Sequence, residues 1–108
     1  MRTDRRCEDR YPFIAMAEIV DQDENARTSS KISDLSVHGC YVETVNPFKE
    51  GTNVTIEIYT DTESLETEAT VAFLKAKRGM GLRFRDMPES YANILNGWLK
   101  QARGKPAN

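Results

Sequence analysis

The sequence predicts an all-β-dominated domain, a six-stranded antiparallel β-barrel with one C-terminal α-helix. Six short segments with strand-type composition recur at hairpin spacing, and Gly, Pro, Asn or Asp residues separate most of them. One amphipathic segment follows them near the end of the chain. We expect a closed or nearly closed barrel because closure removes the exposed edges of the outer strands.

The composition indicates one soluble domain. The chain has 108 residues, with 39% hydrophobic residues, 30% charged residues and a formal net charge of −2. This balance supplies enough apolar side chains for a single core, and it weakens the case for binding duplex nucleic acid, which usually needs a strongly basic face. No apolar run is long enough to cross a bilayer, and the polar start does not resemble a secretory signal. We therefore expect a cytoplasmic protein without membrane insertion.

The first three strands are predicted at residues 11–20, 28–32 and 40–45. The first strand carries apolar side chains on both faces, so we expect at least partial cover on both sides. Cys40 begins the third strand, where it is expected to be a small core residue. Because the protein is expected in a reducing compartment, a disulfide between Cys7 and Cys40 is disfavoured.

The last three strands are predicted at residues 52–60, 65–74 and 80–84. The fourth alternates most clearly, with Val54, Ile56 and Ile58 on its buried face. The fifth places four residues on a shared face: Thr67, Ala69, Val71 and Phe73. In the sixth, Gly79 and Gly81 indicate a close approach or a β-bulge.

The helix is predicted from its start signal and its periodicity. Asp86 is expected to be the N-cap residue, Pro88 to lie in the first turn and Glu89 to complete a capping box. One apolar stripe follows, made of Tyr91, Ile94, Leu95, Trp98 and Leu99. Gly104 is a natural C-terminal stop. We expect the stripe to pack on the barrel at one open end, and the alternative is a dimer or partner interface.

Two polar stretches predict a binding site. Residues 33–39, SDLSVHG, combine short polar side chains with a glycine, which is typical of a tight turn between strands. Residues 5–10, RRCEDR, place fixed positive charge just before the first strand. We interpret the two stretches as one site for an anionic ligand on the rim of the barrel.

The same residues resemble a known family signature. Arg6-x-x-x-Arg10, followed by Asp34-x-Ser36-x-x-Gly39, is similar to the two motifs of PilZ domains, bacterial modules that bind the second messenger cyclic di-GMP. The resemblance covers nearly the whole chain, since PilZ domains also have a six-stranded barrel and a C-terminal helix. It implies cyclic di-GMP as ligand, with no cofactor and no metal.

The resemblance also implies a role for each motif residue. Arg6 and Arg10 would bind guanine edges and phosphates through their planar guanidinium groups, and Arg5 would add a contact. Asp34 would accept hydrogen bonds from the N1–H and N2–H₂ donors of guanine. Ser36 would bind at the same edge or at the sugar-phosphate, and Gly39 would allow the backbone to come close.

We further expect three segments along the chain. Residues 1–10 form a flexible Arg-rich arm, residues 11–103 form the barrel and helix, and residues 104–108 form a tail. The arm is expected to close over the ligand, and this ordering would signal to an unidentified downstream protein. The sequence leaves open whether the protein is a monomer or a homodimer.

Other functions are less well supported. His38 is the single histidine, and with Cys40 it lacks an orienting third group, so an enzyme is not expected. His38 also replaces a glycine that family members often carry; it could stack on guanine, donate a pH-dependent hydrogen bond, crowd the site and weaken binding, or have no function. The main alternative is a PilZ-like interaction module that does not bind nucleotide. A barrel for single-stranded nucleic acid is disfavoured by the acidic balance.

Overall fold

The structure, a computed structural model, describes residues 10–75 and 78–104, with the side chains of the last two excepted. Its elements are β1 (Tyr11–Asp21), β2 (Arg27–Leu35), β3 (Gly39–Glu43), β4 (Asn53–Tyr59), β5 (Ser64–Lys75), β6 (Gly79–Arg85) and α1 (Glu89–Gly104). The strands close into a barrel in the order β1-β2-β3-β6-β5-β4, and all neighbours are antiparallel. The predicted fold class is therefore confirmed.

The barrel interior is filled by apolar side chains that alternate along the strands. Val54, Ile56 and Ile58 of β4 are fully buried, as predicted, and their neighbours in sequence point outward. Ile19 of β1 and Ile32 of β2 are buried in the same cluster. Because large side chains occupy the inside of a small barrel, the outward-facing residues are the ones available to a ligand.

The outer face of β1 differs from the prediction. Of the three residues expected to have partial cover on this face, Val20 is half-buried, whereas Ile14 is 70% exposed and Met16 is 43% exposed. The reason is that α1 covers the other face: its Trp98 packs against Phe13, which belongs to the opposite, inward-facing set of β1 residues.

The second strand is longer than predicted. β2 continues to Leu35, so Asp34 lies within the strand, opposite Pro12 of β1 and Tyr41 of β3. The loop to β3 contains only residues 36–38. Asp34 is therefore positioned by ladders on both sides, which makes it more rigid than a turn residue.

A β-bulge in β5 reverses one predicted orientation. Val71 pairs with Leu82 of β6 but Phe73 pairs with Gly81, so one extra residue of β5 lies between these pairs. Val71 is buried as predicted, whereas Phe73 turns outward and is 37% exposed. Its ring lies over Gly81, where a β-carbon would meet the ring atoms. This confirms the predicted close approach at Gly81.

The helix extends to Gly104, the last described residue, and does not begin as predicted. Asp86 adopts a left-handed conformation with φ of 50°, and α1 starts three residues later at Glu89. The amides of Tyr91 and Ala92 donate to the carbonyl oxygen of Pro88. Pro88 therefore occupies the N-cap position and Asp86 serves to turn the chain, so the predicted capping box is wrong.

The apolar stripe of the helix packs on the barrel, as predicted. Leu95, Trp98 and Leu99 are buried in the same cluster as the strand residues. The Trp98 ring stacks on Phe13 with centroids 5.3 Å apart, and its Nε1 donates to Glu63 Oε1 at 2.9 Å. Among the described residues, no helix has the length and apolar character needed to cross a membrane.

Cys40 lies on β3 with its side chain fully buried, which confirms its prediction as a core residue, and its thiol is free. Burial raises the pKa of the thiol from 9.0 to about 12. The carboxylate of Asp34 raises the pKa further, and the guanidinium of Arg10 opposes this. The thiol therefore stays protonated at neutral pH and is a poor nucleophile.

We predict that Cys40 does not react in the native protein. The test uses a Cys7→Ser variant and an aromatic disulfide reagent at pH 8, which releases one coloured thiolate for each protein thiol that reacts. The native variant should release less than one equivalent in the time that the denatured variant needs to release one full equivalent. The same raised pKa means that the thiol contributes stability below pH 9, which is lost as the pH rises from about 9 towards about 12. Rapid stoichiometric reaction of the native protein would contradict the buried position.

We also predict that the helix is held mainly through Trp98. Trp98→Ala should lower the free energy of unfolding by about 3–5 kcal/mol, because it removes a buried ring and leaves Glu63 without its indole donor. Asn93→Ala, on the exposed side of the same helix, should change it by about 0.5 kcal/mol or less. Urea unfolding followed by circular dichroism measures both, and equal effects would show that the helix does not depend on this contact.

Candidate functional site

The candidate site is an open groove on the outer surface of the barrel. It encloses about 340 Å³ and is lined by Arg10, Ser33, Asp34, Tyr41, Phe73 and Lys75. These residues come from the position directly before β1 and from β2, β3 and β5, and they lie together because β6 between β3 and β5 contributes a glycine to the row. The groove thus combines a carboxylate, two cationic groups and two aromatic rings.

Arg10 and Asp34, from the two separate predicted motifs, meet in this groove. Arg10 Nη1 donates to Asp34 Oδ1 at 2.8 Å, and the two side chains remain 37% and 31% exposed. Arg10 can reach Asp34 because the next-but-one residue, Pro12, is paired with Asp34. A partly exposed pair of this kind contributes only about 0–1 kcal/mol to stability, so a ligand can compete for both groups at small cost.

Ser36 shapes the loop beside the groove. Its side chain is fully buried, and its Oγ accepts hydrogen bonds from the amides of His38 at 3.2 Å and Gly39 at 3.1 Å. Its own amide donates to the carbonyl oxygen of Gly39 at 2.8 Å. The hydroxyl therefore replaces a backbone carbonyl in closing the hairpin, and it fixes where β2 ends and β3 begins.

Gly39 has a packing reason to be glycine. A β-carbon at this position would collide with the carbonyl oxygen of Leu82 on the neighbouring strand β6. Its φ does not lie in the left-handed region, so close approach and not backbone freedom is what requires a glycine here. Ser36 and Gly39 thus hold the end of the hairpin, while Arg10 and Asp34 line the groove. The predicted residues Arg5 and Arg6 lie outside the described part of the chain.

His38 fits the loop without strain. Its φ is not positive, its amide bonds to Ser36, and its carbonyl oxygen accepts from the amide of Phe84 at 2.8 Å. Its exposed side chain lines a different cavity, shared with Phe84 and Met87 next to the start of α1. In this conformation the imidazole does not enter the Arg10–Asp34 groove.

Tyr41, Phe73 and Lys75 were not identified from the sequence. The rings of Tyr41 and Phe73 stack with centroids 6.2 Å apart and planes 21° apart, and Lys75 Nζ lies 5.6 Å from the Tyr41 centroid. Alternation with the buried neighbours Cys40 and Val42 could have indicated that Tyr41 points outward. Nothing in the local pattern could have indicated the same for Phe73, because the β5 bulge sets its direction.

A second cavity continues the groove along β3. It encloses about 320 Å³ and is lined by Tyr41, Glu43, Lys75 and Arg78. Glu43 is paired with Lys31 at 3.7 Å, whereas neither Lys75 nor Arg78 forms an ion pair with another described residue. The surface next to Tyr41 therefore carries net positive charge, although the chain as a whole has a formal charge of −2.

Tyr41 remains a neutral hydrogen-bond donor at physiological pH. Desolvation raises the pKa of its phenol, the guanidinium of Arg78 opposes the shift, and the carboxylates of Glu43 and Asp34 add to it. Among the described residues, no group of three or more His, Cys, Asp or Glu side chains could hold a metal ion. The groove and the adjoining cavity thus present cationic groups, a carboxylate that accepts hydrogen bonds, and two aromatic rings.

Several solved structures share this fold. The inhibitor of motility MotI/DgrA from Bacillus subtilis superposes with a TM-score of 0.78 at 19% identity, over 99% of this chain and 56% of that one. The PilZ domain of YcgR from Escherichia coli, solved with cyclic di-GMP, gives 0.72 at 17% identity over 93% and 95% of the two chains. The PilZ domain of CeSA from a cellulose-synthesizing bacterium gives 0.68 at 21% identity over 89% and 96%.

The chain spans only about half of the MotI/DgrA chain, with 56% coverage. No curated protein matches the sequence. The model of the PilZ domain family, however, matches residues 4–101, which include both predicted motifs as well as the six strands and most of the helix. With its closed antiparallel barrel, its C-terminal helix and this match over nearly its whole length, the chain belongs to the PilZ domain family.

Proposed function

We propose that this protein is a receptor for cyclic di-GMP that acts as an adaptor in the bacterial cytoplasm and has no catalytic activity. The observation that carries the proposal is the ion pair between Arg10 and Asp34, which joins the two motifs in one open groove. Family membership supports it, since PilZ domains are ligand-binding modules. So do the structures of YcgR and of PlzA from Borreliella burgdorferi, both of which are described in complex with cyclic di-GMP.

The chemistry of the pair matches the two parts of a guanine edge. The carboxylate of Asp34 accepts from N1–H and N2–H₂, which an ammonium or a neutral donor cannot do. The guanidinium of Arg10 donates two parallel hydrogen bonds to O6 and N7, or to two phosphate oxygens. Adenine lacks the N1–H and N2–H₂ donors and presents an amino group where guanine has the O6 acceptor, so the pair favours guanine over adenine in a cyclic dinucleotide.

The remaining motif residues extend this site in our proposal. Arg5 and Arg6 add guanidinium groups for the phosphates and the second guanine. Ser36 and Gly39 act mainly by holding the hairpin that carries Asp34, with contacts to the sugar-phosphate through the loop. A few charge-assisted bonds of about 1.5–3 kcal/mol each reach the order of the roughly 8 kcal/mol that micromolar binding requires, and the cost of ordering residues 1–10 subtracts from that sum.

The proposed signal is the ordering of residues 1–10 over the ligand. Arg10 lies directly before β1, so any ligand that engages it acts on the segment that precedes the barrel. A segment that becomes ordered on binding creates a new surface, which a downstream protein can recognise. The alternative function is a PilZ-like interaction module that does not bind nucleotide. Such a module would have the same fold but no measurable affinity for cyclic di-GMP.

We predict that removing either motif arginine weakens binding with little effect on folding. In titration calorimetry with cyclic di-GMP, Arg6→Ala and Arg10→Ala should each reduce affinity about tenfold or more, or about 1.4 kcal/mol. The thermal midpoint of ligand-free Arg10→Ala should stay almost unchanged because its ion pair is partly exposed.

The matched control is Arg27→Ala, which also removes one partly paired, exposed arginine of the barrel surface. Its affinity should equal that of the parent. If the parent binds and both motif variants bind as the parent does, the site lies elsewhere. If the parent shows no binding to cyclic di-GMP, the interaction-module alternative is favoured.

A second prediction concerns the arm itself. Saturating cyclic di-GMP should slow amide hydrogen exchange across residues 2–10 at least about tenfold, because ligand contacts to Arg5, Arg6 and Arg10 would fix the backbone between them. Exchange in β4, away from the groove, should change much less and serves as the internal reference. Equal exchange rates in the arm with and without ligand would refute the ordering mechanism while leaving the binding proposal intact.

A further inference from the structure

The aromatic pair beside the Arg10–Asp34 groove is more exposed than a structural role requires. Tyr41 of β3 and Phe73 of β5 flank Gly81 in one row of the sheet, and their rings meet above it. Packing over the backbone of Gly81 is enough to explain why one of the two rings lies on this surface. Yet Phe73 keeps 37% of its surface exposed, and both rings line the groove that contains Asp34.

Two features of the sheet place these rings on the outer surface. The bulge between Val71 and Phe73 turns Phe73 out of the core, although its place in the alternation would put it inside. The absence of a side chain at Gly81 then leaves room for the ring, since a β-carbon would overlap it. A bulge combined with a glycine opposite it is a typical way to re-aim a side chain towards a site.

Positive charge lies at the edge of the same aromatic surface. The ammonium of Lys75 is 5.6 Å from the centroid of the Tyr41 ring, within the range of a cation–π contact. Arg78 shares the adjoining cavity with Tyr41 and Lys75. The groove therefore offers, in order across the sheet, a carboxylate for a base edge, aromatic rings for a base face and cations for a phosphate.

We propose that Tyr41 and Phe73 form a stacking platform for one guanine base, with Lys75 and Arg78 binding an adjacent phosphate. This inference rests on the proposed binding of cyclic di-GMP and extends it to residues outside both motifs. Asp34 and Arg10 hydrogen-bond to the edge of the base, in the plane of its ring. The ring pair contacts the face of the base, perpendicular to that plane. Stacking on aromatic side chains is a general source of affinity for nucleobases.

The dimensions of the two cavities support the placement of the base at one cavity and of the phosphate at the other. Each, at about 340 and 320 Å³, is near the lower limit of about 300–1,000 Å³ for small-molecule sites. Neither holds a whole cyclic dinucleotide, but they adjoin at Tyr41 and Lys75, which line both. A base in the first cavity and a phosphate at the second would use both.

The test is titration calorimetry of the full chain with cyclic di-GMP, combined with proton NMR of the bound ligand. Phe73→Leu and Tyr41→Leu keep apolar cover over Gly81 but remove the aromatic face, and each should weaken binding about tenfold. Lys75→Gln should weaken binding about threefold or more and reduce its dependence on salt. In the parent, the H8 proton of one guanine should shift upfield on binding and show nuclear Overhauser contacts to the Phe73 ring.

One matched control comes from the same strand as Phe73 and one from another part of the surface. Leu74→Ala removes an exposed apolar side chain next to Phe73 that does not line the groove, and Lys49→Gln removes an exposed lysine elsewhere. Both should bind within about twofold of the parent. Thermal midpoints show whether each variant is folded, and the NMR measurement on the parent needs no variant at all.

The results separate this inference from the function on which it rests. If the parent binds and Arg10→Ala loses affinity, but both leucine variants bind as the parent does and H8 does not shift upfield, the platform is refuted and the receptor function stands. If the parent gives no binding signal, both proposals are refuted. Weakened leucine variants together with an upfield H8 resonance confirm the platform.

Discussion

Closure of the six-stranded barrel is the constraint on which the rest of this structure depends. In a closed small barrel every strand must alternate between a filled interior and the outer surface. Isoleucine, valine and leucine side chains fill the inside, and α1 adds Leu95, Trp98 and Leu99 to the same core. Binding groups are therefore confined to the outward positions, where the sheet itself, with its two-sided ladders, holds Asp34 and Tyr41 in place.

On that surface, different parts of the chain meet through strand pairing and not through sequence proximity. Arg10 and Asp34 are 24 positions apart, yet the β1–β2 register brings them within 2.8 Å. Tyr41 and Phe73 come together across Gly81 of β6. The Arg10–Asp34 pair is partly exposed and contributes little to stability, so in the proposed receptor both groups can leave each other and bind the ligand at little cost.

The loop between β2 and β3 illustrates how a motif can serve two purposes. Ser36 closes the hairpin with its buried hydroxyl, and Gly39 permits β3 to lie close to the Leu82 carbonyl of β6. Both residues would be needed for the shape of the loop even without a ligand. In the proposed receptor they act by fixing the direction in which Asp34 points, while Asp34 and the arginines supply the chemistry.

The sequence by itself determined the fold class, the inward face of β4 and the Cys40 core position, and it singled out Arg10 and Asp34, which the structure places 2.8 Å apart, because strict alternation and unusual polar residues are local signals. It did not determine that Phe73 points outward, that Asp86 turns the chain instead of capping α1, or that Ile14 and Met16 lack cover. Each of these depends on where a neighbouring element packs or on one inserted residue in a ladder. A shift of a single position reverses every side chain beyond it, so only the tertiary pairing decides which residues share the groove.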